Sequence, residues 1–312
     1  GAVQDLNRLS FNSAASHLRK LNLEIDSSAK VVGPRLLHGS QIGLIDPVDT
    51  PDGGNVGLHK HMALFTKITV SYPRKVMLNW IARNIEILEL TSLETENIGK
   101  LTKLSVNGYW CGVLKDPNIL QVKFYTSRRL GLIPIYTSFS FDKIDNHVYI
   151  YTDGGRLCRP ILYVDDVTSE LAYKNEKLSK KIVEKDFNWE QCVTGFMKKK
   201  IKYSLNDAKC YTLDEMYSVS DLKAMENYKS IIEYMDSSEA ETSLICPSVY
   251  YKKPGVKYTH MEIHPSLMFG VMGNQIIFPE HNPKPRNCFG CGQAKQGASI
   301  YHSNFNNRID KM

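Results

Sequence analysis

The chain has 312 residues, which suits one large domain or two to three smaller ones. With 42% hydrophobic and 23% charged residues its composition is that of an ordinary soluble globular protein, and no stretch approaches the roughly 20 apolar residues that span a bilayer, which argues against a membrane protein. The net charge of +6 is compatible with a nucleic-acid partner but is not diagnostic of one.

The cysteines and the chain ends indicate the setting of the protein. Seven cysteines, an odd number, are scattered through a chain too large to need disulfides, which predicts a reducing, intracellular environment. We expect no signal peptide, and the chain begins with Gly1 rather than Met and ends at Met312. We therefore expect it to be a piece of a longer chain.

The first seventy residues combine a helix, a long loop system and a strand. Apolar residues recur every three to five positions over 4–25, which predicts a helix. Residues 33–57 are rich in Gly-Pro, Asp-Pro and Pro-Asp-Gly turns, which predict a structured loop that a rigid scaffold holds for function. Residues 62–70 are predicted to form a strand.

The middle of the chain predicts a β-rich region. Asn107-Gly108 between two apolar runs, 103–106 and 109–114, is a strong hairpin signal. The other predicted elements are helical segments within 75–100 and at 118–130, and strands at 148–152 and at 156–164, the last broken by Pro160.

A lysine-rich stretch at 169–222 has little periodicity. Its run Lys198-Lys199-Lys200 is read either as a solvated face or as a contact with nucleic acid or a neighbouring subunit. A helix is predicted over 221–238. The fold class is α+β, a multi-lobed arrangement of mixed, mostly antiparallel sheets with helices.

The segment 279–297 has the residues of a ligand-binding loop. Three prolines are predicted to stiffen a loop that presents Arg286, while glycines permit close backbone approach. Arg286, Lys295 and Gln296 supply a guanidinium fork, a point charge and an amide, which suit phosphates and sugar hydroxyls. An ordinary Gly/Pro-rich polar loop is the alternative.

Cys288 and Cys291 have the CxxC spacing of a zinc site. His281 and His302 are possible further ligands, but there is no second CxxC or HxxxH pair, so the sequence favours two buried thiols and no metal. His264, before a proline, is predicted to be a hydrogen-bonded loop residue. Nothing arranges a cysteine and a histidine as nucleophile and base.

Three groups of motifs follow one another along the chain. The amino-terminal motifs are Leu6-Asn7-Arg8, Ser16-His17-Leu18-Arg19-Lys20, Pro34-Arg35 and Pro47-Val48-Asp49-Thr50-Pro51-Asp52-Gly53. The middle motifs are Val106-Asn107-Gly108-Tyr109-Trp110-Cys111-Gly112-Val113 and Thr152-Asp153-Gly154-Gly155-Arg156-Leu157-Cys158-Arg159-Pro160. The carboxy-terminal motifs are Glu262-Ile263-His264-Pro265-Ser266, Ile277-Phe278-Pro279-Glu280-His281-Asn282, Pro285-Arg286-Asn287 and Lys295-Gln296-Gly297. In this order the motifs resemble those of the second-largest subunits of RNA polymerase II and its archaeal and viral relatives, and the resemblance weakens at about 170–250.

Three departures from cellular enzymes favour a large DNA virus. Asp-Thr-Pro-Asp-Gly stands at 49–53 where ETPEG is usual, and Phe289 stands where tyrosine is usual. Residues 290–293 are Gly-Cys-Gly-Gln where Gln-Ser-Ala-Met is usual.

The resemblance implies four regions and a role in template-directed RNA synthesis. The regions are 1–67 (fork), 68–165 (external 1), 166–255 (external 2) and 256–312 (second fork part and start of the hybrid-binding region). The chain would belong to a nucleotidyltransferase but would be inactive alone, because the family's Mg²⁺ is bound mainly by the largest subunit. This chain is therefore expected to bind no metal.

The resemblance also assigns site residues, none of them catalytic. Arg286 would contact the nucleotide triphosphate, and Asn287, Lys295 and Gln296 would bind nucleotide and RNA. DNA and hybrid contacts would come from Arg19, Lys20, Arg35, Asp49, Asp52 and Gly53.

Partners and location follow from the same resemblance. The expected partners are the largest and smaller polymerase subunits, template DNA, RNA and nucleoside triphosphates, with no membrane. The protein is expected inside cells: in the host cytoplasm or virion if viral, in the nucleus if cellular. The alternative function is a non-catalytic scaffold that docks polymerase subunits or transcription factors.

Overall fold

The structure is a computed structural model, and it describes residues 3–88, 101–165, 170–174, 179–180, 183–184, 188–195 and 229–297. The chain divides into two compact units. Unit 1 consists of Gly1–Thr66 with His264–Met312, and unit 2 of Lys67–Ile263. The lysine run Lys198–Lys200 and most of the stretch around it lie outside the described residues.

The described residues contain six α-helices and eleven strands. The helices are α1 (Phe11–Leu18), α2 (Arg74–Asn84), α3 (Pro117–Arg129), α4 (Trp189–Thr194), α5 (Ser237–Glu241) and α6 (Lys284–Gln296). The strands are β1 (Lys20–Asn22), β2 (His59–His61), β3 (Lys67–Ile68), β4 (Thr102–Val106), β5 (Tyr109–Leu114), β6 (Ser138–Asp142), β7 (His147–Tyr151), β8 (Leu157–Tyr163), β9 (Ile232–Asp236), β10 (Ile245–Cys246) and β11 (His260–Met261). Most strand pairs are antiparallel, and β4–β7 and β10–β11 are parallel. The α+β prediction is confirmed, and within the described ranges no helix is both long and apolar enough to cross a bilayer.

Unit 1 begins with a helix that is shorter than predicted. Ser10 caps α1, because its hydroxyl accepts from the Ser13 backbone N–H while the Ser13 hydroxyl accepts from the Ser10 N–H. The helix ends at Leu18, and the chain turns at Arg19 into β1, which pairs antiparallel with β2. The predicted helix over 4–25 is therefore wrong at both ends, because the capping box starts it late and strand pairing ends it early.

A buried carboxylate ties the loop system of unit 1 to its carboxy-terminal segment. Asp46 accepts hydrogen bonds from the backbone N–H groups of Val48 (2.9 Å) and Gly270 (2.7 Å). A Cβ at Gly273 would lie 2.6 Å from the Asp46 carboxylate, so only glycine allows this approach. Burial raises the pKa of Asp46, and these two N–H donors partly offset that effect.

Unit 2 contains a four-stranded sheet in the order β5-β4-β7-β6. The predicted Asn107-Gly108 hairpin is confirmed: both turn residues have positive φ, 49° and 76°, as a type I′ turn requires. Helices α2 and α3 contribute Trp80 and Phe124 to the core, where their rings meet edge to face. The predicted helix at 118–130 is confirmed as α3, with Asp116 as its N-cap and Gly131 just beyond its end.

The second sheet of unit 2 is organised around β8, which pairs with β9, β3 and β11. The prediction that Pro160 breaks this strand is wrong, since β8 runs unbroken through it. On one side of β8, β3 pairs only with Leu157 and Cys158, and β11 pairs only with Leu162 and Tyr163. This side of β8 therefore has no partner strand beside Pro160. A proline is tolerated at such a gap because it has no N–H to donate to a ladder.

Two other predicted elements are wrong in the described residues. Of the predicted strand at 62–70 only Lys67 and Ile68 form a strand, while Met62 makes an isolated bridge to Ile45, because the chain between them turns through loops of unit 1. The predicted helix at 221–238 is contradicted at its described end, where Ile232–Asp236 is the fully buried strand β9. Glu233 and Asp236 have the spacing of the polar face of a helix, but in the strand each forms an ion pair with an arginine.

A buried network of charged residues lies between α3 and the second sheet. Arg128 forms a two-pronged contact with Glu239 (2.6 and 2.8 Å) and reaches Glu233 at 3.0 Å. Glu233 also accepts from Arg129 at 3.3 Å and pairs with His260 at 2.6 Å. Although burial alone raises the pKa of Glu233, Arg129 and Arg128 hold it well below its ordinary value.

Candidate nucleic-acid interface

Most of the segment that was predicted to be a stiff loop, Lys284–Gln296, is the helix α6. Arg286 lies in the first turn of α6, whose N-cap is Pro283. The loop prediction is wrong because a proline in the first helical turn costs no hydrogen bond, since the N–H it lacks has no partner there. Arg286 itself is exposed.

The helix separates two of the predicted phosphate-binding residues. Arg286 and Lys295 are nine positions apart, which places them roughly 14 Å apart along the axis and about 180° apart around it. Lys295 shares its face with Cys288 and Cys291, which are buried. The sequence analysis predicted that Arg286, Lys295 and Gln296 belong to one binding loop. In the structure, α6 presents Arg286 on one side and Lys295 on the other.

A cleft in unit 1 brings four predicted residues together from three parts of the chain. Lys20 comes from β1, Asp49 from the 33–57 loop system, and Lys295 and Gln296 from the end of α6. The cleft has a volume of about 310 Å³. Its other lining residues are Asn7, Leu9, Ser13, Ser16, His17, Thr50, Pro51, His59, His61 and Gly292.

A three-residue contact forms the floor of this cleft. The Lys295 Nζ lies 2.6 Å from Oδ1 of Asp49 and 3.3 Å from Nε2 of His61. His61 Nδ1 lies 2.9 Å from the Asp49 carbonyl oxygen. The Asp49 side chain is 3% exposed and that of Lys295 is 23% exposed, so the carboxylate is enclosed while the ammonium reaches the cleft.

Two lysines give this cleft an excess of positive charge. Burial lowers the pKa of Lys20, and the Lys295 charge lowers it further. Burial likewise lowers the pKa of His61, more than the Asp49 carboxylate raises it, so the imidazole is neutral at neutral pH. Two ammonium groups against one carboxylate leave a surplus that attracts phosphate.

The structure places the two predicted arginine contacts against backbone carbonyls. Arg19 donates to the carbonyl oxygens of Ala63 (2.6 Å) and Thr66 (3.1 Å). Arg35 donates to those of Gly54 (2.5 Å) and Val56 (2.9 Å). Both guanidinium groups thus hold loops of unit 1 in place, and their role as DNA contacts stays a prediction.

Asp52 and Gly53 lie at the exposed tip of the same loop system. Gly53 has a φ of 76°, which favours glycine, and it opens the short turn that Arg35 holds. Asp52 and Arg35 line a second cavity, of about 240 Å³, together with Lys60 and Lys284.

Asn287 occupies a different environment from the other predicted RNA contacts. It is 4% exposed, and its side-chain amide donates to the Pro279 carbonyl oxygen at 2.8 Å. This bond ties the start of α6 to the preceding turn. The structure therefore makes Asn287 a support for the helix that presents Arg286.

The two cysteines of the CxxC motif lie on α6, and both side chains are buried. Burial raises the pKa of both Cys288 and Cys291, which disfavours the thiolate form that binds metals. Within the described ranges, no group of three His, Cys, Asp or Glu residues could hold a metal ion. His264 Nδ1 caps a short turn by accepting from the Ser266 backbone N–H at 3.2 Å, and it lies 2.6 Å from the Ser266 hydroxyl, which confirms the prediction of a hydrogen-bonded loop residue.

Sequence reasoning missed the histidines of the cleft and the Asp46 contact. His59-Lys60-His61 alternates along β2, so both imidazoles lie on the side of the strand that lines the cleft. This alternation was a usable signal. Asp46 gave none beyond an Asp-Pro turn, because its partner Gly270 lies 224 positions away.

Comparison with known families agrees with these motifs. Residues 4–68 match the family model described as RNA polymerase Rpb2, domain 3, and residues 104–165 match that of RNA polymerase Rpb2, domain 4.

Similar proteins extend the match to the whole chain. The chain is 34% identical to DNA-directed RNA polymerase II subunit 2 of Arabidopsis thaliana, over 100% of this chain and 24% of the relative. It is 32% identical to DNA-directed RNA polymerase II subunit RPB2 of Schizosaccharomyces pombe, over 100% of this chain and 26% of the relative. It is 30% identical to DNA-directed RNA polymerase subunit 2 of Acanthamoeba polyphaga mimivirus, over 99% and 25%. The chain thus spans about a quarter of the length of these relatives, and it belongs to the family of second-largest subunits of DNA-directed RNA polymerase.

Proposed function

We propose that this chain contributes nucleotide, RNA 3′-end and DNA–RNA hybrid contacts to template-directed RNA synthesis by an assembled polymerase. The observation that carries the proposal is the cleft of unit 1, where Lys20, Lys295 and Gln296 converge around Asp49. Lysines attract phosphates without regard to sequence, and an amide suits sugar hydroxyls. In this proposal the partners are the largest and smaller subunits, template DNA, RNA and nucleoside triphosphates.

The two sides of α6 have separate roles in this proposal. The cleft side, with Lys295 and Gln296, holds the RNA 3′ end, and the opposite side, with Arg286, contacts the triphosphate. The separation of roughly 14 Å along the axis is too long for one phosphate to bridge both side chains. Contacts with two parts of the reacting nucleic acid account for that distance.

Lys295→Met tests the cleft. In an assembled polymerase we expect the rate of single-nucleotide addition at low RNA-end occupancy to fall roughly 10- to 100-fold, because a hydrogen bond from a charged group contributes about 1.5–3 kcal/mol. The matched control is Lys143→Met, an exposed lysine of unit 2, which should keep the wild-type rate. A normal rate in a fully assembled Lys295→Met enzyme would remove the basis of the proposal.

The chain alone is expected to make no RNA. We place the Mg²⁺ mainly in the largest subunit, as the family resemblance implies, where it would polarise the reacting groups. Purified chain with template, nucleotides and Mg²⁺ should therefore give no template-dependent product. Incorporation that persists after removal of every other polymerase would contradict this.

One observation favours a scaffold role as a second candidate. Tyr250 and Tyr251 are 96% and 68% exposed in unit 2, beside Lys252 and Lys253. Exposed tyrosines are common at protein interfaces. If cleft substitutions leave RNA synthesis intact while Tyr250→Ser with Tyr251→Ser impairs subunit assembly, the scaffold role is the correct one.

A further inference from the structure

His61 is an enclosed titratable residue to which no role has been assigned. It is 6% exposed, and it lies on β2 beneath the cleft. A role for this residue rests on the proposed function of that cleft, because His61 can act there only through Lys295.

The contacts of His61 determine which of its nitrogens carries the proton. Nδ1 faces two acceptors: the Asp49 carbonyl oxygen at 2.9 Å and the Asp49 carboxylate at 3.4 Å. Nε2 faces the Lys295 ammonium at 3.3 Å, and an ammonium can only donate. Nδ1 must therefore carry the hydrogen, and Nε2 must offer its lone pair to Lys295.

This arrangement fixes the direction of the Lys295 ammonium. One of its three N–H groups points to Asp49 and a second to His61, which leaves the third as the donor that faces the cleft. Asp49 alone would allow the ammonium to rotate about a single contact. Two contacts at an angle define where the third N–H points.

We propose that neutral His61, with its hydrogen on Nδ1, is a positioning residue that aims the Lys295 ammonium at a phosphate of the nucleic acid in the cleft. Protonation of His61 places an N–H where the lone pair was, so the imidazolium repels Lys295 and the aim is lost. The cleft therefore binds the phosphate more weakly in acid, although the Lys295 ammonium is still present.

The charged groups that face His61 come from three elements. Asp49, on the loop, favours the imidazolium, whereas Lys295, on α6, and Lys20, on β1, disfavour it. Burial is the largest influence and lowers the pKa of His61 below the ordinary histidine value of 6.5. The weaker binding of the phosphate is therefore expected below that pH, where the imidazole takes up its second proton.

The test is the ratio of the nucleotide-addition rate of His61→Gln to that of wild type in the assembled polymerase, measured across pH. The pH dependence of the chemistry is common to both enzymes and cancels in this ratio. Glutamine accepts from Lys295 through an amide oxygen and does not titrate. We expect a ratio near one above neutral pH and a rise towards about tenfold in acid, as only the wild type loses the contact.

Two variants separate positioning from structure. His59→Gln, two positions away on the same strand, should give a ratio without the acid rise, whatever its effect on the rate. His61→Leu, which fills the space but accepts nothing, should reduce the rate about tenfold at neutral pH. A flat His61→Gln ratio, or an acid rise in His59→Gln as well, would overturn the proposal.

A double variant separates this inference from the proposed function. In a Lys295→Met background, His61→Gln should no longer produce an acid rise, because there is no ammonium to aim. If Lys295→Met is costly and the His61→Gln ratio is flat, the role of His61 is wrong and the cleft assignment stands. If Lys295→Met costs nothing, the cleft assignment fails and His61 has nothing to position.

Discussion

Replacement of Arg286 by alanine is expected to slow single-nucleotide addition by roughly 30- to 1000-fold in the assembled polymerase. A guanidinium that contacts the triphosphate stabilises charge that develops on the leaving pyrophosphate, and losing such a contact costs on the order of 2–4 kcal/mol. Arg286 is exposed on the first turn of α6, so its side chain is available to a ligand. The positive end of the helix dipole adds to the attraction.

The shape of the guanidinium matters as well as its charge. Arg286→Lys should recover only part of the rate, because an ammonium cannot reproduce a two-pronged contact with phosphate oxygens. Rates should be measured at saturating nucleotide, where a weaker ground-state affinity does not limit them.

The matched control is Arg83→Ala, an exposed arginine near the end of α2 in unit 2. Its rate should equal that of wild type, and assembly and DNA binding should persist in both variants. A near-normal rate in the fully assembled Arg286→Ala enzyme would show that Arg286 does not contact the nucleotide triphosphate.

The second large effect is on stability. Arg128→Leu should lower the free energy of unfolding by about 3–5 kcal/mol, because it leaves the buried Glu239 carboxylate without its two-pronged partner and removes one contact of Glu233. Arg128 is 2% exposed, Glu233 is 2% exposed and Glu239 is fully enclosed. Glu239 cannot turn to water, so without Arg128 it must remain as an unpaired charge or take up a proton. Glu233 keeps its contacts with Arg129 and His260.

Chemical denaturation of the chain, followed by circular dichroism, measures this change. Arg83→Leu provides the matched control, and as an exposed substitution it should stay within about 0.5 kcal/mol of wild type. Replacing both Arg128 and Glu239 by apolar residues should lower the free energy of unfolding less than Arg128→Leu alone does, because the double variant has no unpaired Glu239 carboxylate. A loss below about 1 kcal/mol for Arg128→Leu would show that water or local opening solvates the network.

Elements with local signals were predicted, and elements that depend on distant partners were not. The hairpin at Asn107-Gly108 and helix α3 carry their turn and cap residues within a few positions, so the sequence alone predicts them. Strand β9 was missed because Glu233 is charged, and its burial depends on Arg128, 105 positions earlier. The local pattern contains no information about that partner.

The candidate site shows the same division. Motifs identified Lys295, Gln296 and Asp49 one at a time, but their convergence depends on contacts across the chain. The start of α6 was missed because its prolines indicate a loop everywhere except in a first helical turn. The histidines of β2 were missed although they alternate along the strand, because an alternation over three residues is a weak signal.

The division of unit 1 into two stretches of sequence has a consequence for folding during synthesis. Asp49 and Lys295 are 246 positions apart, with all of unit 2 between them. A ribosome that adds about 5–20 residues per second needs roughly 10 to 50 seconds to pass from one to the other. Throughout that interval the nascent chain holds Asp49 and His61 without the ammonium that pairs with them, and unit 2, which ends at Ile263, is synthesised in full before that ammonium appears. The cleft is therefore completed late in translation, and a ribosome pause within unit 2 lengthens the time for which its first half waits unpaired.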